Sequence, residues 1–292
     1  MRILITGASG QLGAYLLAEL ASSRHEVIAW SGSRPERRGA VGLTPVDLAD
    51  LDLVESRLDT FRPDAIIHAA AISSAEAVRL DPARAEVVNV RATRRIAEWV
   101  ESNRRRLVFT STDLVFGGLR SFHRDDDDAE PVLAYGRTKR AAELALSCYP
   151  SAVIARLPLL FGPSRAGRPS FFDGAVAALR RGTPQTYFAD EFRTPLDYRS
   201  AATGLVRLVA ADLTGNIHLA GVERMSRYEL VTRLATSLGL DPALVRSNRR
   251  AEVELAEPRP ADVSLATGRW QTCFPADRWP SVEQAAREMN GG

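Results

Sequence analysis

The chain has 292 residues, of which 45% are hydrophobic and 25% charged, enough for one large domain or two smaller lobes with a buried core. Its 38 basic and 36 acidic residues leave a formal charge of +2, so no basic excess favours binding to nucleic acid. Two cysteines, Cys148 and Cys273, are too few for a metal knuckle or a disulfide framework, which favours a reducing cytoplasm.

Short apolar runs alternate with helical patterns in the first half of the chain, which predicts stacked β-α-β units around a parallel sheet. The runs Ile66-Ile67 and Leu107-Val108-Phe109 contain no alternating polar residues, as expected for strands that are buried on both faces. The predicted strands cover residues 2–6, 26–30, 43–46, 65–68, 106–110 and 152–156. The predicted helices between them cover residues 11–23, 50–61, 82–103 and 135–148.

Glycine and proline interrupt the pattern more often after residue 156. We therefore predict an α/β architecture with a doubly wound parallel sheet over residues 1–156 and a smaller α/β lobe over residues 157–292. The predicted elements of this lobe are helices at 171–181, 200–212, 227–238 and 281–289, and a strand at 216–219. The helix at 200–212 is expected to pack back on the first domain.

Neither a membrane segment nor a metal site is expected. No apolar run reaches the roughly 20 residues that span a bilayer, and the apolar stretch after Met1 is too short for a signal peptide. Four consecutive aspartates at 125–128 lack the alternating spacing of a calcium loop and are expected to form a solvated loop. The four histidines lack ligand spacing.

Three glycines with three-residue spacing follow the first predicted strand, in Thr6-Gly7-Ala8-Ser9-Gly10-Gln11-Leu12-Gly13. Glycines allow the backbone to approach a pyrophosphate closely at the positive end of a helix. The position between the first strand and the first helix predicts dinucleotide binding, with a merely tight turn as the alternative. The expected cofactor contacts here are Gly7, Ser9, Gly10, Gln11, Leu12 and Gly13.

The end of the second predicted strand indicates which dinucleotide is bound. Its sequence, Trp30-Ser31-Gly32-Ser33-Arg34, contains no carboxylate, which a ribose with a free 2′-hydroxyl would need. Ser31, Ser33 and Arg34 suit a 2′-phosphate better, and Arg37 and Arg38 follow closely. NADP(H) is therefore favoured over NAD(H), with an exposed arginine loop that binds no ligand as the alternative.

Lys139 is the only lysine beside 37 arginines. A compact ammonium on a flexible stem is not interchangeable with a guanidinium, which suggests a specific role for this residue. Tyr135 precedes Lys139 by four residues, so phenol and ammonium share one face of a helix. A neighbouring ammonium favours the phenolate, and we expect it to lower the pKa of Tyr135 and make this residue a general acid or base. An exposed helical pair is the alternative.

Hydroxyl side chains end the strand before this helix, in Phe109-Thr110-Ser111-Thr112-Asp113. Parallel sheets place ligands at the carboxyl ends of their strands. A hydroxyl at this position can hydrogen-bond the carbonyl or alcohol that Tyr135 protonates.

Together these motifs resemble the extended short-chain dehydrogenases/reductases, which have a Rossmann-type fold, and within them the dTDP-4-dehydrorhamnose reductase branch. The resemblance spans nearly the whole chain. It includes Asp47-Leu48 after the third strand, Ala69-Ala70-Ala71 after the fourth and Asn89 in the following helix. Residues 215–221, 225–229 and 259–265 are similar to the sugar-nucleotide-binding lobe of that branch.

This resemblance implies NADPH-dependent reduction of a nucleoside-diphosphate 4-keto-6-deoxy sugar by a cytoplasmic enzyme, with a homodimer as one candidate assembly. Tyr135 would donate the proton, Lys139 would hold the nicotinamide ribose, and Thr112 would polarise the substrate carbonyl. Thr112, Asp113 and Arg193 are the implied substrate contacts, and Arg165, Arg168 and Arg199 are further candidates for the diphosphate. The remaining implied cofactor contacts are Asp47, Leu48, Ala69, Ala70, Ala71, Asn89 and Thr110.

Two departures from the branch alter the implied sugar pocket. Leu114 stands where the reductases have a tyrosine, and Arg156-Leu157-Pro158-Leu159 stands where they have a stretch that contains tryptophan. The second pattern resembles the regulatory subunit of methionine adenosyltransferase, so a non-catalytic NADP-binding protein is one alternative, although the intact Thr112, Tyr135 and Lys139 weigh against it. A sugar-nucleotide epimerase is another, whereas Leu114 in place of a glutamate argues against a dehydratase.

Overall fold

The computed structural model describes residues 1–32, 36–38 and 41–290. Its strands are β1 Arg2–Thr6, β2 Glu26–Ser31, β3 Glu36–Arg38, β4 Val41–Pro45, β5 Ala65–His68, β6 Arg106–Thr112, β7 Ala152–Leu157, β8 Leu160–Phe161, β9 Gln185–Phe188, β10 Phe192–Arg193, β11 Leu196–Asp197, β12 Gly215–His218, β13 Met225–Ser226 and β14 Val245–Asn248. Its α-helices are α1 Gln11–Leu20, α2 Leu51–Phe61, α3 Ala75–Leu80, α4 Pro82–Glu86, α5 Ala92–Ser102, α6 Ala134–Leu146, α7 Phe171–Arg180, α8 Tyr198–Ala210, α9 Arg227–Ser237, α10 Gly268–Cys273 and α11 Val282–Asn290.

Within these ranges, eight strands form one sheet in the order β12-β7-β6-β5-β1-β2-β4-β3. Neighbouring strands are parallel except β3, which runs antiparallel to β4 at the edge. The chain proceeds from β1 through β2 to one edge and then returns through β5 to the other edge. This reversal confirms the predicted doubly wound fold and opens a crevice at the carboxyl ends of β1 and β5.

Helices cover both faces of the sheet, and adjacent residues of each inner strand point to opposite layers. Ile67 packs with Leu16 of α1 and Leu205 of α8 on one face, whereas Ile66 packs with residues of α2 and α5 on the other. All of these side chains are buried. Burial on both faces explains why the strand sequences show no polar alternation.

The chain after residue 157 does not form a wholly separate lobe. The strand predicted at 216–219 is β12, and it pairs with β7 in the central sheet. Helix α8 packs against α1 on the face of that sheet. The sequence pattern did not reveal the sheet position of β12, because strand pairing depends on residues about 60 positions apart.

The rest of the second half covers the crevice with three pairs of short strands, β8 with β11, β9 with β14, and β10 with β13. Helices α7, α9 and α11 pack around them. The single helix predicted over 82–103 is divided, since residues Val87–Arg91 between α4 and α5 form a π-helical turn. Among the described residues, no helix has the length and apolar character that crossing a bilayer requires.

A buried ion pair fixes α6 against the sheet. Glu143 of α6 accepts two hydrogen bonds from Arg156 of β7, at 3.0 Å to Nε and 2.9 Å to Nη2. Both side chains are 1% exposed. The hydroxyl of Ser111 donates to Glu143 at 2.6 Å, so one carboxylate joins α6 to the ends of β6 and β7.

We expect Glu143→Ala to lower the free energy of unfolding by about 3–5 kcal/mol, because it leaves the Arg156 guanidinium buried without its carboxylate. Glu55→Ala breaks the more exposed pair with Arg95 and should cost less than about 1 kcal/mol. Urea denaturation at pH 7 measures both changes. Equal losses in the two variants would contradict a structural role for the buried pair.

Candidate active site

A cleft of about 1000 Å³ lies between the carboxyl edge of the sheet and the second half of the chain. Ser33 and Arg34 lie outside the described residues. The other predicted site residues that line the cleft are Gly7, Ser9, Gly10, Gln11, Leu12, Gly13, Ser31, Asp47, Leu48, Ala69, Ala70, Ala71, Thr110, Thr112, Asp113, Tyr135, Lys139 and Arg193. The fold therefore brings the separate motifs to one place.

The glycine turn between β1 and α1 requires glycine for steric reasons. Gly7 has φ +70°, and a Cβ there would lie 2.8 Å from the backbone of Ala70. A Cβ on Gly13 would lie 2.2 Å from the carbonyl oxygen of Gly7. Gly10 precedes α1 and offers no side chain to cap it, which leaves the N–H groups of the first turn available to an anion. These features fit the pyrophosphate of a dinucleotide.

Gln11 connects this turn to the loop after β8. Its Nε2 donates to the Ser164 hydroxyl at 2.8 Å and to the Arg168 carbonyl at 2.7 Å, and its Oε1 accepts from the Arg165 N–H at 3.2 Å. The two halves of the chain are thus joined at the predicted pyrophosphate site.

The predicted adenosine end holds an ion pair. Asp47 accepts hydrogen bonds from the Ala49 N–H at 3.0 Å and from Arg84 at 2.9 and 3.2 Å. The Ala49 hydrogen bond and then Arg84 lower the pKa of Asp47 against the opposing effect of burial. The neighbouring strand β2 ends at Ser31 without a carboxylate.

The first turn of α6 lies directly on the turn after β6. A Cβ on Gly136 would lie 2.1 Å from the Leu114 carbonyl oxygen, so only glycine permits this approach. The contact places Tyr135 beside the end of β6, where Thr112 lies. One turn along α6, Lys139 is buried, and its Nζ lies 3.9 Å from the centroid of the Phe109 ring.

Burial changes the acidity of both α6 groups. It raises the pKa of Tyr135, and the nearby Asp113 carboxylate raises it further. It lowers the pKa of Lys139 to about 7, although Glu143 acts in the opposite direction. Our expectation that Lys139 lowers the pKa of Tyr135 is wrong for this structure, because desolvation of the phenol and the Asp113 charge dominate.

The hydroxyls at the end of β6 already have partners within the protein. Thr112 donates to Asp113 Oδ1 at 3.1 Å and accepts the Leu114 N–H at 3.2 Å. Thr110 donates to the His68 carbonyl at 3.1 Å. To polarise a substrate carbonyl, the Thr112 hydroxyl must turn away from Asp113.

Asn89 and Arg193 both have hydrogen-bond partners within the protein. Asn89 is absent from the cleft lining, and its amide holds the Ile72 backbone at 2.8 and 3.0 Å and the Thr138 hydroxyl at 3.0 Å. These contacts support the wall of the cleft. Arg193 is only 7% exposed, and Asp113 and Glu191 already neutralise it. Its Nη1 and Nη2 donate to these carboxylates, which does not favour direct binding of a substrate diphosphate, and its Nε has no hydrogen-bond partner among the described residues.

Besides Arg193, five arginines line the cleft: Arg79 and Arg84 from the first half of the chain, and Arg168, Arg227 and Arg259 from the second half. Arg227 is largely buried, and burial lowers its pKa. No carboxylate in the described part of the chain forms an ion pair with it. Sequence reasoning placed Arg227 and Arg259 in segments similar to the sugar-nucleotide-binding lobe but did not single them out as ligand contacts, because nothing local distinguishes them from surface arginines. The candidates Arg165 and Arg199 do not line the cleft.

In the residues that the structure covers, no group of three or more histidine, cysteine or acidic side chains is arranged to hold a metal ion.

Comparison with known proteins identifies relatives over the full chain. The family described as the RmlD substrate binding domain matches residues 1–289. A probable dTDP-4,6-dihydroxy-2-methyloxan-3-one 4-ketoreductase of Streptomyces antibioticus is 32% identical over 275 residues, 93% of this chain and 88% of that protein. Methionine adenosyltransferase 2 subunit beta of Rattus norvegicus is 27% identical over 96% of this chain and 84% of that protein. The structure of dTDP-4-dehydrorhamnose reductase from Bacillus anthracis in complex with NADP has the same fold, with a TM-score of 0.85 at 22% identity over 99% of this chain and 98% of that one.

The buried ammonium makes stability depend on pH. Unfolded lysine titrates near pH ~10, so between about pH 7 and 10 the unfolded chain binds more protons than the folded chain, and stability rises with pH. Lys139→Met lacks this dependence. We expect the cofactor-free wild type to gain about 2 kcal/mol of unfolding free energy relative to Lys139→Met between about pH 7 and 9. Urea denaturation of both proteins measures the difference, and parallel pH curves would contradict the burial of this amine.

Proposed function

Because the chain belongs to the RmlD family of extended short-chain dehydrogenases/reductases, which are NAD(P)-dependent oxidoreductases, we propose that it uses NADPH to reduce a nucleoside-diphosphate 4-keto-6-deoxy sugar. One observation carries this proposal: Thr112, Tyr135 and Lys139 line the same cleft as the glycine turn. A substrate carbonyl in this cleft would lie near hydrogen-bond donors and close to the glycine turn that suits a dinucleotide. Residues 1–156 would mainly bind the cofactor and residues 157–292 the substrate.

The proposed chemistry divides between the cofactor and the chain. The bound nicotinamide supplies a hydride to the carbonyl carbon. Tyr135, whose raised pKa keeps the phenol protonated, donates its proton to the carbonyl oxygen. Thr112 donates a hydrogen bond to the same oxygen and stabilises the developing charge. Lys139 would hold the ribose hydroxyls and, when protonated, favour proton release by Tyr135.

The preference for NADPH is supported at the adenosine end. Strand β2 lacks the terminal carboxylate that binds a ribose diol. Asp47 does not replace that carboxylate, because Arg84 already binds both of its oxygens. The contribution of Ser33 and Arg34 to phosphate binding stays a prediction from the sequence.

The second half of the chain offers suitable groups for a nucleotide sugar. We assign the diphosphate to Arg168, Arg227 and Arg259 in place of Arg193. Leucines line the cleft that holds Tyr135 and Lys139. Leu157 lies beside Thr112 in the register of β6 and β7. An apolar wall suits the deoxygenated carbon of a 6-deoxy sugar. Further leucines that line the cleft include Leu114, Leu133, Leu159, Leu160 and Leu255.

A regulatory NADP-binding protein is the second candidate, since the similarity to the methionine adenosyltransferase subunit covers 96% of the chain. An epimerase of the same superfamily would use the same fold. The regulatory candidate does not account for the three catalytic groups in one cleft, whereas the epimerase is disfavoured only by the NADPH preference proposed above.

Tyr135→Phe should lower kcat by about 10²–10⁴-fold, because it removes the proposed proton donor. The Kd for NADPH should change less than about 3-fold, since the ring and its packing remain. Tyr149→Phe is the matched control, because Tyr149 follows the same helix but does not line the cleft. Steady-state kinetics and NADPH titration measure both variants. Wild-type turnover by Tyr135→Phe would exclude the phenol as the proton donor.

A panel of nucleoside-diphosphate 4-keto sugars tests the reaction itself. We expect oxidation of NADPH with at least one 6-deoxy member, and slower oxidation of NADH, measured as loss of nicotinamide absorbance. Binding of NADPH without turnover of any member would favour the regulatory candidate. Inversion of a sugar centre without net cofactor oxidation would favour the epimerase.

A further inference from the structure

We propose that Arg193 is a positioning residue, which pairs with Asp113 so that Thr112 and Tyr135 can give their hydrogens to the substrate. This inference rests on the proposed reductase function, because it concerns the same site. It replaces the direct substrate contact expected for Arg193.

Arg193 forms the centre of a buried chain of charges. Its Nη1 donates to both oxygens of Asp113, at 2.8 and 2.9 Å, and its Nη2 donates to Glu191 at 3.0 Å. The Asp113 and Glu191 side chains are each 1% exposed. Glu191 also accepts from Arg259 at 3.2 Å. This series of ion pairs extends from Asp113, at the end of β6, to Arg259, which we assigned to the substrate diphosphate.

The ion pair between Arg193 and Asp113 determines how strongly Asp113 binds the hydrogen of the Thr112 hydroxyl. Asp113 Oδ1 accepts from Thr112 at 3.1 Å and from Arg193 at 2.8 Å. Two donors share one oxygen, so the guanidinium weakens the hold of the carboxylate on the hydroxyl. Without Arg193, a buried carboxylate would bind the hydroxyl as a strong charge-assisted partner. The Leu114 N–H keeps the Thr112 oxygen in place while its hydrogen turns.

The same pair affects the proton donor. Asp113 raises the pKa of Tyr135, and the guanidinium of Arg193 offsets the Asp113 charge. Without Arg193, the phenol of Tyr135 would lie near an Asp113 carboxylate whose charge is not balanced. The Thr112 hydrogen bond and the Tyr135 proton would therefore both become harder to donate to the substrate oxygen, because the Asp113 charge opposes both.

A double-mutant cycle tests this role. We expect Arg193→Gln to lower kcat by at least about 10-fold while the KM for the nucleotide sugar changes less than about 3-fold. Adding Asp113→Asn removes the uncompensated charge, so the double variant should recover to within about 3-fold of Asp113→Asn alone. Arg180→Gln, an exposed arginine on α7, is the control and should leave kcat unchanged.

Other outcomes would overturn the inference. A double variant as slow as Arg193→Gln, or a raised KM at unchanged kcat, would indicate direct substrate binding by Arg193. Circular dichroism checks folding, and Arg193→Lys is measured in parallel because it keeps the charge near Asp113. We expect its kcat to lie between those of the wild type and Arg193→Gln, and a value equal to Arg193→Gln contradicts the electrostatic role. If the wild-type protein turns over the nucleotide sugar but the double variant is not rescued, this inference alone is overturned. If the wild-type protein itself shows no turnover, the proposed function is overturned as well.

Discussion

The close approach of α6 to the end of β6 is the contact on which the site depends. Gly136 has no side chain, so the helix can lie against the Leu114 carbonyl, and Tyr135 lines the same cleft as Thr112. Two turns further on, Glu143 and Arg156 fix the same helix to β7. The phenol lies next to the first attachment and the amine between the two, so both have little freedom to move. The protein therefore holds its donors in place before any ligand arrives, which is the main entropic contribution a scaffold can make.

Holding Tyr135 and Lys139 in place removes them from water, which disfavours the ionised forms of both groups. Lys139 is fully buried and Tyr135 is partly buried, and for both groups desolvation outweighs the attraction expected between phenolate and ammonium. Charged groups in the interior are instead matched in pairs, Glu143 with Arg156 and Asp113 with Arg193. Replacing any one partner leaves the other exposed to a medium of low polarity, so the same pairs constrain both folding and chemistry.

Local sequence patterns were sufficient for a doubly wound parallel sheet to be expected and for the glycine turn and the tyrosine-lysine helix to be found. These features depend on spacings of three to four residues. The partners of Arg193 and Asn89 could not be read in this way, because Asp113 lies 80 positions from Arg193 and Ile72 lies 17 from Asn89. The sign of the Tyr135 pKa shift was wrong for a related reason, since a helical spacing reveals which groups are neighbours but not how deeply they are buried. Cleft-lining arginines such as Arg227 also became distinguishable only when the crevice was formed.

The single lysine has a consequence for handling the protein. Lys139 is 1% exposed, and every other basic side chain except the histidines is an arginine. Reagents that attach dyes, beads or cross-linkers to lysine amines therefore find no lysine side chain on the outer surface. Such chemistry would instead report on the interior: a Lys139 adduct that appears on partial unfolding, and is suppressed by ligand, would measure how often the crevice opens.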